Sequence, residues 1–358
     1  MKLLFYLNTI GQGGAERVMV NLANNCACLE DDCVFVTTFP EGWEYSLLSN
    51  IKRVNLTKKR IDGFITRNFY LVKELRNVIK REKPDTVVSF MAEPNFRILL
   101  ATIGMQCRKI ISVRNDPDKE YPSIIFKILA KTLYCLADCV VFQTKDAKSW
   151  FPKFIQKKSC MIMNQVDDVF FNTSLAENRC NIVTTGRLVP QKNHKMLIEA
   201  FAKVSNEIED NLYIYGEGEL RVELELLVER LGLQNRVFLP GATKNVPEIL
   251  SKAKAFVLSS DYEGMPNALL EAMAMGLPCI STDCPCGGPR EILTDIGTEY
   301  LVSVGDADEM AAAIKKMCNL DSHRLDEISQ NVKKHSQRYK GESVFKEWQQ
   351  VTGYNNED

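Results

Sequence analysis

No stretch of this sequence approaches 18 consecutive apolar residues, so none is long enough to cross a bilayer as a helix. The opening residues Met1–Asn8 carry one lysine and a five-residue apolar run, too short for a signal core and with no small-residue cleavage site behind it, which argues against a secretory signal. Net charge is almost absent at -1 and predicts nothing for the chain as a whole. The twelve cysteines lack zinc spacing: Cys26 with Cys28 and Cys284 with Cys286 are close pairs, but neither is a C-x2-C with a matching partner. Cys33, Cys139, Cys160 and Cys279 sit in or beside apolar runs and read as small core hydrophobes. So many unpaired thiols suit a reducing cytosol. Histidine is scarce, with only His194, His323 and His335.

What is present is an ordinary globular composition over 358 residues, enough for about two domains. Its charge is unevenly placed. Residues 1–175 hold 25 Lys and Arg against 18 Asp and Glu, the remainder 20 against 28, and residues 50–160 alone 23 against 10. The first half is therefore a candidate for an anionic surface or substrate. Helical patterns at Asn68–Glu82, with Phe69, Val72, Leu75, Val78 and Ile79 on one face, and at Ser123–Leu136 are both basic and apolar. Such helices pack on a sheet, the commoner use, or lie at a lipid surface.

Strand-like runs and helical stretches alternate along the chain, which predicts α/β architecture. Leu3–Leu7 leads into Gly11-Gln12-Gly13-Gly14-Ala15-Glu16 and an amphipathic helix. This loop is not a dinucleotide fingerprint, because Glu16 stands where the third glycine belongs and Thr37 and Thr38 stand where the acidic residue belongs. Further strands are expected at Cys33–Thr38, Val54–Leu56, Thr86–Phe90, Lys109–Val113 and Cys139–Phe142. The alternation restarts near Asn181, with strands at Asn181–Thr185, Leu212–Tyr215, Val237–Leu239, Ala255–Leu258 and Pro278–Ser281. Two domains in series are implied, meeting around residues 167–178.

The run Ser259–Glu271 places Glu263 and Glu271 on either side of a loop-to-helix transition, with Pro266 near the first helical turn. Unpaired N–H groups and the dipole at such a terminus suit an anion.

Several motifs in one order resemble the retaining glycosyltransferases of family 4. They are Gly13-Gly14-Ala15-Glu16, Asn164-Gln165-Val166-Asp167, Gly186-Arg187-Leu188 with Lys192, Gly216-Glu217-Gly218, Glu263-Gly264-Met265-Pro266-Asn267-Ala268-Leu269-Leu270-Glu271, and Asp283 with Gly288-Pro289-Arg290-Glu291-Ile292. The resemblance implies the GT-B fold, two Rossmann-like domains facing across a cleft. Residues 1–170 would bind the acceptor and 171–340 the nucleotide-sugar, with a helix in 341–358 packing back on the first domain. The Gly-Gly-Ala-Glu-Arg start, Ser89-Phe90 with Asn95, and Ile111-Ser112 are similar to bacterial enzymes that pass N-acetylhexosamine from UDP-sugars to undecaprenyl-diphosphate-linked glycans.

By this resemblance, Arg187 and Lys192 clamp the donor diphosphate and meet the charge that develops on the leaving group. Glu271 holds the ribose hydroxyls, and Glu263 faces the donor sugar as a contact and not as a nucleophile. Gly13, Gly14, Gly186, Gly216, Gly218, Thr243, Gly264, Met265, Pro266, Asn267 and Ala268 complete the nucleotide-sugar contacts. Many family members carry a histidine after the strand that is here Lys109–Val113. This chain has Arg114, which can supply charge but not act as a base. His194 reads as a capping or packing residue. Asp116-Pro117-Asp118 reads as a turn, and no cofactor or metal is expected. The partners implied are a UDP-sugar, a lipid-linked glycan and an anionic membrane surface, reached peripherally from the cytoplasm at the inner face; no nucleic acid is implied. A UDP-sugar 2-epimerase of the same fold, or an inactive nucleotide-sugar-binding subunit, is the alternative.

Overall fold

Short runs such as Thr86–Phe90, Ala255–Leu258 and Cys279–Thr282 are buried at every position. That pattern belongs to parallel strands covered on both faces. The computed structural model describes residues 1–11, 13–39, 44–57, 62–294, 296–297 and 300–353. Gln12 of the glycine loop and residues 58–61, three of them basic, therefore lie outside the described residues. The chain forms two units, Met1–Asn164 with the residues from Glu342 on, and Gln165–Gly341.

Unit 1 holds strands β1 (Lys2–Leu7), β2 (Asp32–Thr37), β3 (Lys52–Asn55), β4 (Thr86–Phe90), β5 (Arg108–Ser112), β6 (Cys139–Phe142) and β7 (Ser159–Met161). Its helices are α1 (Gly14–Cys28), α2 (Phe64–Glu82), α3 (Ala92–Ala101), α4 (Pro117–Glu120), α5 (Ile124–Leu133), α6 (Lys145–Ser149) and α7 (Lys153–Gln156). Unit 2 holds β8 (Ile182–Thr185), β9 (Leu212–Tyr215), β10 (Val237–Gly241), β11 (Ala255–Leu258), β12 (Cys279–Thr282) and β13 (Leu301–Val302). Its helices are α8 (Asp168–Asn172), α9 (His194–Val204), α10 (Arg221–Arg230), α11 (Val246–Lys252), α12 (Asn267–Ala274), α13 (Gly288–Leu293), α14 (Ala307–Cys318) and α15 (Ser322–Ser336). The last helix, α16 (Gly341–Thr352), buries Trp348 against Phe90 with ring centroids 5.6 Å apart, in the unit 1 core with Phe5 and Ile110.

Both sheets are parallel. The orders are β3-β2-β1-β4-β5-β6-β7 and β10-β9-β8-β11-β12-β13. In each, the chain steps outward from its first strand and then resumes on the other side of that strand. The reversal falls between β1 and β4 in unit 1 and between β8 and β11 in unit 2, and the loops leaving such a strand pair diverge to open a ligand crevice.

Several elements differ from the sequence expectation. β7 and β13 escape it because three- and two-residue strands carry no apolar run. α2 begins at Phe64 and buries Leu71, Leu75, Val78 and Ile79, while Phe69 is 75% exposed, one position off the buried face. α5 does not bury its apolar side: Ala130 is its one fully buried residue, and Ile124, Ile125 and Ile128 are 70%, 65% and 55% exposed. An aromatic cluster of Phe96, Tyr121, Tyr134, Phe142 and Phe151 occupies the ground inside α5, leaving Phe126 to contact Phe96. All twelve cysteines are free, with Cys33, Cys139 and Cys279 buried and Cys160 half-buried. Among the described residues no helix is long and apolar enough to cross a membrane.

Candidate active site

The two strands flanking the unit 2 reversal deliver the two loops that the sequence motifs mark. After β8 the chain turns at Gly186 and runs through Arg187 to a 3-10 turn at Pro190–Lys192. After β11 it runs from Ser259 to Pro266, which caps α12 from outside and is not its first turn.

Hydrogen bonds join these loops along their length. Asp261 N–H donates to the Gln191 carbonyl (2.9 Å), Gln191 Nε2 to the Tyr262 carbonyl (3.0 Å), Ser259 Oγ to the Lys192 carbonyl (2.8 Å) and Asn193 Nδ2 to Asp261 Oδ1 (2.7 Å). At their centre Lys192 Nζ lies 2.5 Å from Glu263 Oε1, which also accepts from Ser260 Oγ at 2.7 Å. Both charged side chains are largely buried, 15% and 9% exposed. A pair withdrawn from water this far needs such extra hydrogen bonds to persist.

Glycines make the close approach possible. Gly216 has φ +154°, and a Cβ there would stand 1.8 Å from the Gly186 carbonyl oxygen. Gly288, at the start of α13, leaves the same gap for the Gly264 carbonyl. The loops after β8, β9 and β11 thus bring Gly186, Lys192, Gly216, Gly218, Glu263 and Gly264 into one assembly. Arg187 is exposed beside it, with no side-chain partner among the described residues. Glu271 is buried in the second turn of α12, below the Gly264–Ala268 N–H groups. Asp283 and Arg290 form a bidentate ion pair, Nη2 to Oδ2 at 2.7 Å, between the end of β12 and α13. Thr243 follows β10, two residues after Gly241, whose carbonyl accepts from Gly216 N–H at 3.0 Å, and its hydroxyl accepts from Asn245 N–H.

His194 is 3% exposed, and its ring nitrogens make no well-formed hydrogen bond, the Arg187 backbone being their nearest polar group. Burial, helped by the nearby Lys192 charge, pushes its pKa down to about 4, so the ring is neutral. It packs and does not cap: Asn193, in the left-handed region at φ +43°, accepts from Met196 N–H and caps α9.

Arg114 belongs to unit 1 and is only 8% exposed. Its guanidinium lies 4.3 Å over the Phe90 ring, and Nη2 donates to Asn164 Oδ1 at 2.6 Å, an oxygen shared with Gln143 Nε2. Burial lowers its pKa to about 9, which still leaves it charged at neutral pH. Beside it, Glu120 Oε2 accepts from the Arg114 and Asn115 N–H groups at 3.1 Å each. Burial outweighs those donors and raises the Glu120 carboxyl to about 7. Asp116 caps α4 through Asp118 N–H, and the Asp118 carboxylate ties that turn to Lys127 on α5 and to the Trp150 indole after α6. Gly13 caps α1, with the Glu16 carboxylate folded against it and Gly14 opening the helix. Asn95 accepts from Ser89 and donates to the Ser112 carbonyl and the Tyr134 hydroxyl, so the Ser89, Asn95 and Ser112 signature is a buried tie between β4, β5 and the turn after α5.

Sequence reasoning missed Ser260, Gln191, Asn193, Asp261 and Glu120. Polar residues at every second position, 191 and 193 against 259 and 261, are the signal that could have revealed the joined loops. Glu120 carries no signal, since its shift comes from tertiary burial.

Residues 12–169 match the Glycosyltransferase Family 4 family, and residues 165–335 match Glycosyl transferases group 1. The chain is 28% identical over 357 residues, 97% of each chain, to the GalNAc-alpha-(1->4)-GalNAc-alpha-(1->3)-diNAcBac-PP-undecaprenol alpha-1,4-N-acetyl-D-galactosaminyltransferase of Campylobacter jejuni. It is 27% identical, over 90% of this chain and 92% of the other, to that organism's N-acetylgalactosamine-N,N'-diacetylbacillosaminyl-diphospho-undecaprenol 4-alpha-N-acetylgalactosaminyltransferase. Its fold is that of the Anabaena Alr3699/HepE structure in complex with UDP, with a TM-score of 0.82, 18% identity and coverage of 99% and 100%. With one such domain following the other along its length, the chain belongs to the family 4 type of glycosyltransferases, built on the GT-B fold.

Proposed function

We propose that the protein transfers a sugar, an N-acetylhexosamine or a hexose, from a UDP-sugar to a polyprenyl-diphosphate-linked glycan, with retention of configuration. The observation that carries this reading is the Lys192–Glu263 pair at the reversal point of unit 2. A donor diphosphate attracts the Lys192 ammonium and releases Glu263 toward the hydroxyls of the donor sugar. Lys192 and the exposed Arg187 then meet the negative charge that grows on the leaving diphosphate. Glu271 holds the ribose, and Arg114 supplies fixed positive charge on unit 1. No protein nucleophile is assigned; the diphosphate takes the acceptor proton on the same face. The relatives' activity on undecaprenol-linked glycans, stated in their names, supports the acceptor class.

The same reading includes association with the cytoplasmic face of an anionic membrane, supported by the exposed apolar residues Phe64, Ile65 and Phe69 on α2 and Ile124, Ile125 and Ile128 on α5, set among lysines and arginines. Incubation with labelled UDP-sugars, with and without a polyprenyl-diphosphate glycan, tests the reading. Transfer supports it, interconversion of the free UDP-sugar identifies an epimerase, and binding without turnover identifies a subunit that only holds the nucleotide.

A further inference from the structure

At the reversal point of the unit 1 sheet, the first residue after β1 and the first turn of α3 meet over one buried guanidinium. Arg97 is 3% exposed. Its Nη1 donates to Asn8 Oδ1 at 2.6 Å, its Nε to Asn68 Oδ1 at 2.7 Å, and its Nη2 pairs with Glu93. The Thr38 hydroxyl, itself 2.9 Å from the Tyr6 hydroxyl, donates to the same Asn8 oxygen at 3.1 Å. A buried charge has to be matched in this way, and the matching fixes Asn8 and Glu93 on adjacent nitrogens of a rigid fork.

The network uses only one end of each. Among the described residues nothing accepts from Asn8 Nδ2 and nothing donates to Glu93 Oε1, and both side chains are partly exposed, Glu93 at 34%. If the cluster served only to neutralise Arg97, it could sit anywhere in the unit. Instead it occupies the carboxyl ends of the two strands where the chain order reverses, the place where parallel α/β sheets bind ligands. Met91, between β4 and α3, is held there at φ +73°, a conformation that a side chain adopts only under constraint.

We infer that Asn8 and Glu93 bind neighbouring hydroxyls of the acceptor sugar, Asn8 as donor and Glu93 as acceptor of hydrogen bonds, with Arg97 as their positioning residue. An amide donor and an ionised carboxylate oxygen held side by side match a vicinal diol, and the charged partner makes the stronger bond. This rests on the glycosyltransferase reading above and names where unit 1 reads the acceptor.

The test uses full-length protein, its preferred UDP-sugar and a polyprenyl-diphosphate N-acetylhexosaminyl disaccharide as acceptor. Glu93→Gln and Asn8→Ala should each raise the acceptor KM about tenfold, with UDP affinity unchanged by titration. Arg97→Lys, which keeps the charge and breaks the fork, should raise the acceptor KM while kcat at saturating acceptor changes little. An acceptor KM within about twofold of wild type for Glu93→Gln, or a rise in the donor KM in its place, overturns the inference. Should Asn8→Ala fail to fold, the partly exposed Glu93 decides alone. Wild-type protein that binds UDP yet transfers to no acceptor overturns the transferase reading and this inference together; active wild type with a silent Glu93→Gln removes the inference only.

Discussion

Unit 1 and unit 2 share one strand order around their reversal points, and their crevices are furnished in opposite ways. In unit 2 two loops are drawn together until backbone meets backbone, with glycines at the contacts and a single buried ion pair, Lys192–Glu263, at the centre. In unit 1 the corresponding loops hold a spread network around Arg97, and the neighbouring helices leave apolar side chains in solvent. A tight, charged pocket suits a small anionic ligand whose shape is always the same. An open polar crevice beside an apolar ridge suits a larger, amphipathic one.

The comparison breaks most sharply at Lys192. Lys192→Ala should lower kcat by about 100-fold or more, and it should also destabilise the fold by about 3 kcal/mol, because Glu263 is left buried without its partner. The double change Lys192→Met with Glu263→Gln should restore much of the melting temperature and none of the turnover; recovery of turnover would remove the pair from the site. Next in size, Gly216→Ala should cost about 2 kcal/mol, since its methyl group has no room beside the Gly186 carbonyl, and calorimetry with and without UDP would show both the loss of stability and the loss of binding. The same substitution at the open Gly104 of unit 1 meets no atom, but its φ of +73° still imposes strain, so a smaller loss is expected there.

Glu120 sharpens the unit 1 side through pH. Its folded pKa is raised from 4.5 to about 7, so its contribution to stability is complete below the ordinary glutamate value and is lost as pH rises through about 7. Glu120→Gln removes that loss: relative to wild type, the variant's melting temperature should improve between pH 5 and pH 8. A constant difference across that range would contradict the shift. The smallest effect on stability is expected from Phe69→Ser with Ile128→Ser, within about 0.5 kcal/mol because neither side chain is buried. Flotation with anionic vesicles at low salt should nonetheless fall clearly, and undiminished flotation would place the membrane contact elsewhere.

Much of this was legible in the residues. Strands β1, β4 and β11 were readable because parallel strands buried on both faces are continuous apolar runs. The glycine motifs were readable because close backbone approach demands glycine at particular positions, as at Gly216, Gly218 and Gly288. The Lys192–Glu263 contact was not, since 71 positions separate the two residues and only adjacent strand exits bring them together. Phe69 and the isoleucines of α5 were misjudged for a related reason. Hydrophobic periodicity says which side of a helix is apolar, and the aromatic cluster under α5 says whether that side finds anything to cover it.

Local chemistry along the chain thus settled the α/β class and the repeat of one architecture, because propensity, periodicity and turn geometry act over a few residues. Which charges are paired, which carboxyl is pushed toward neutrality, and which apolar face stays in water depended on contacts between distant segments. Those contacts control desolvation and partner distance, on which the strength of every buried polar interaction in this protein depends.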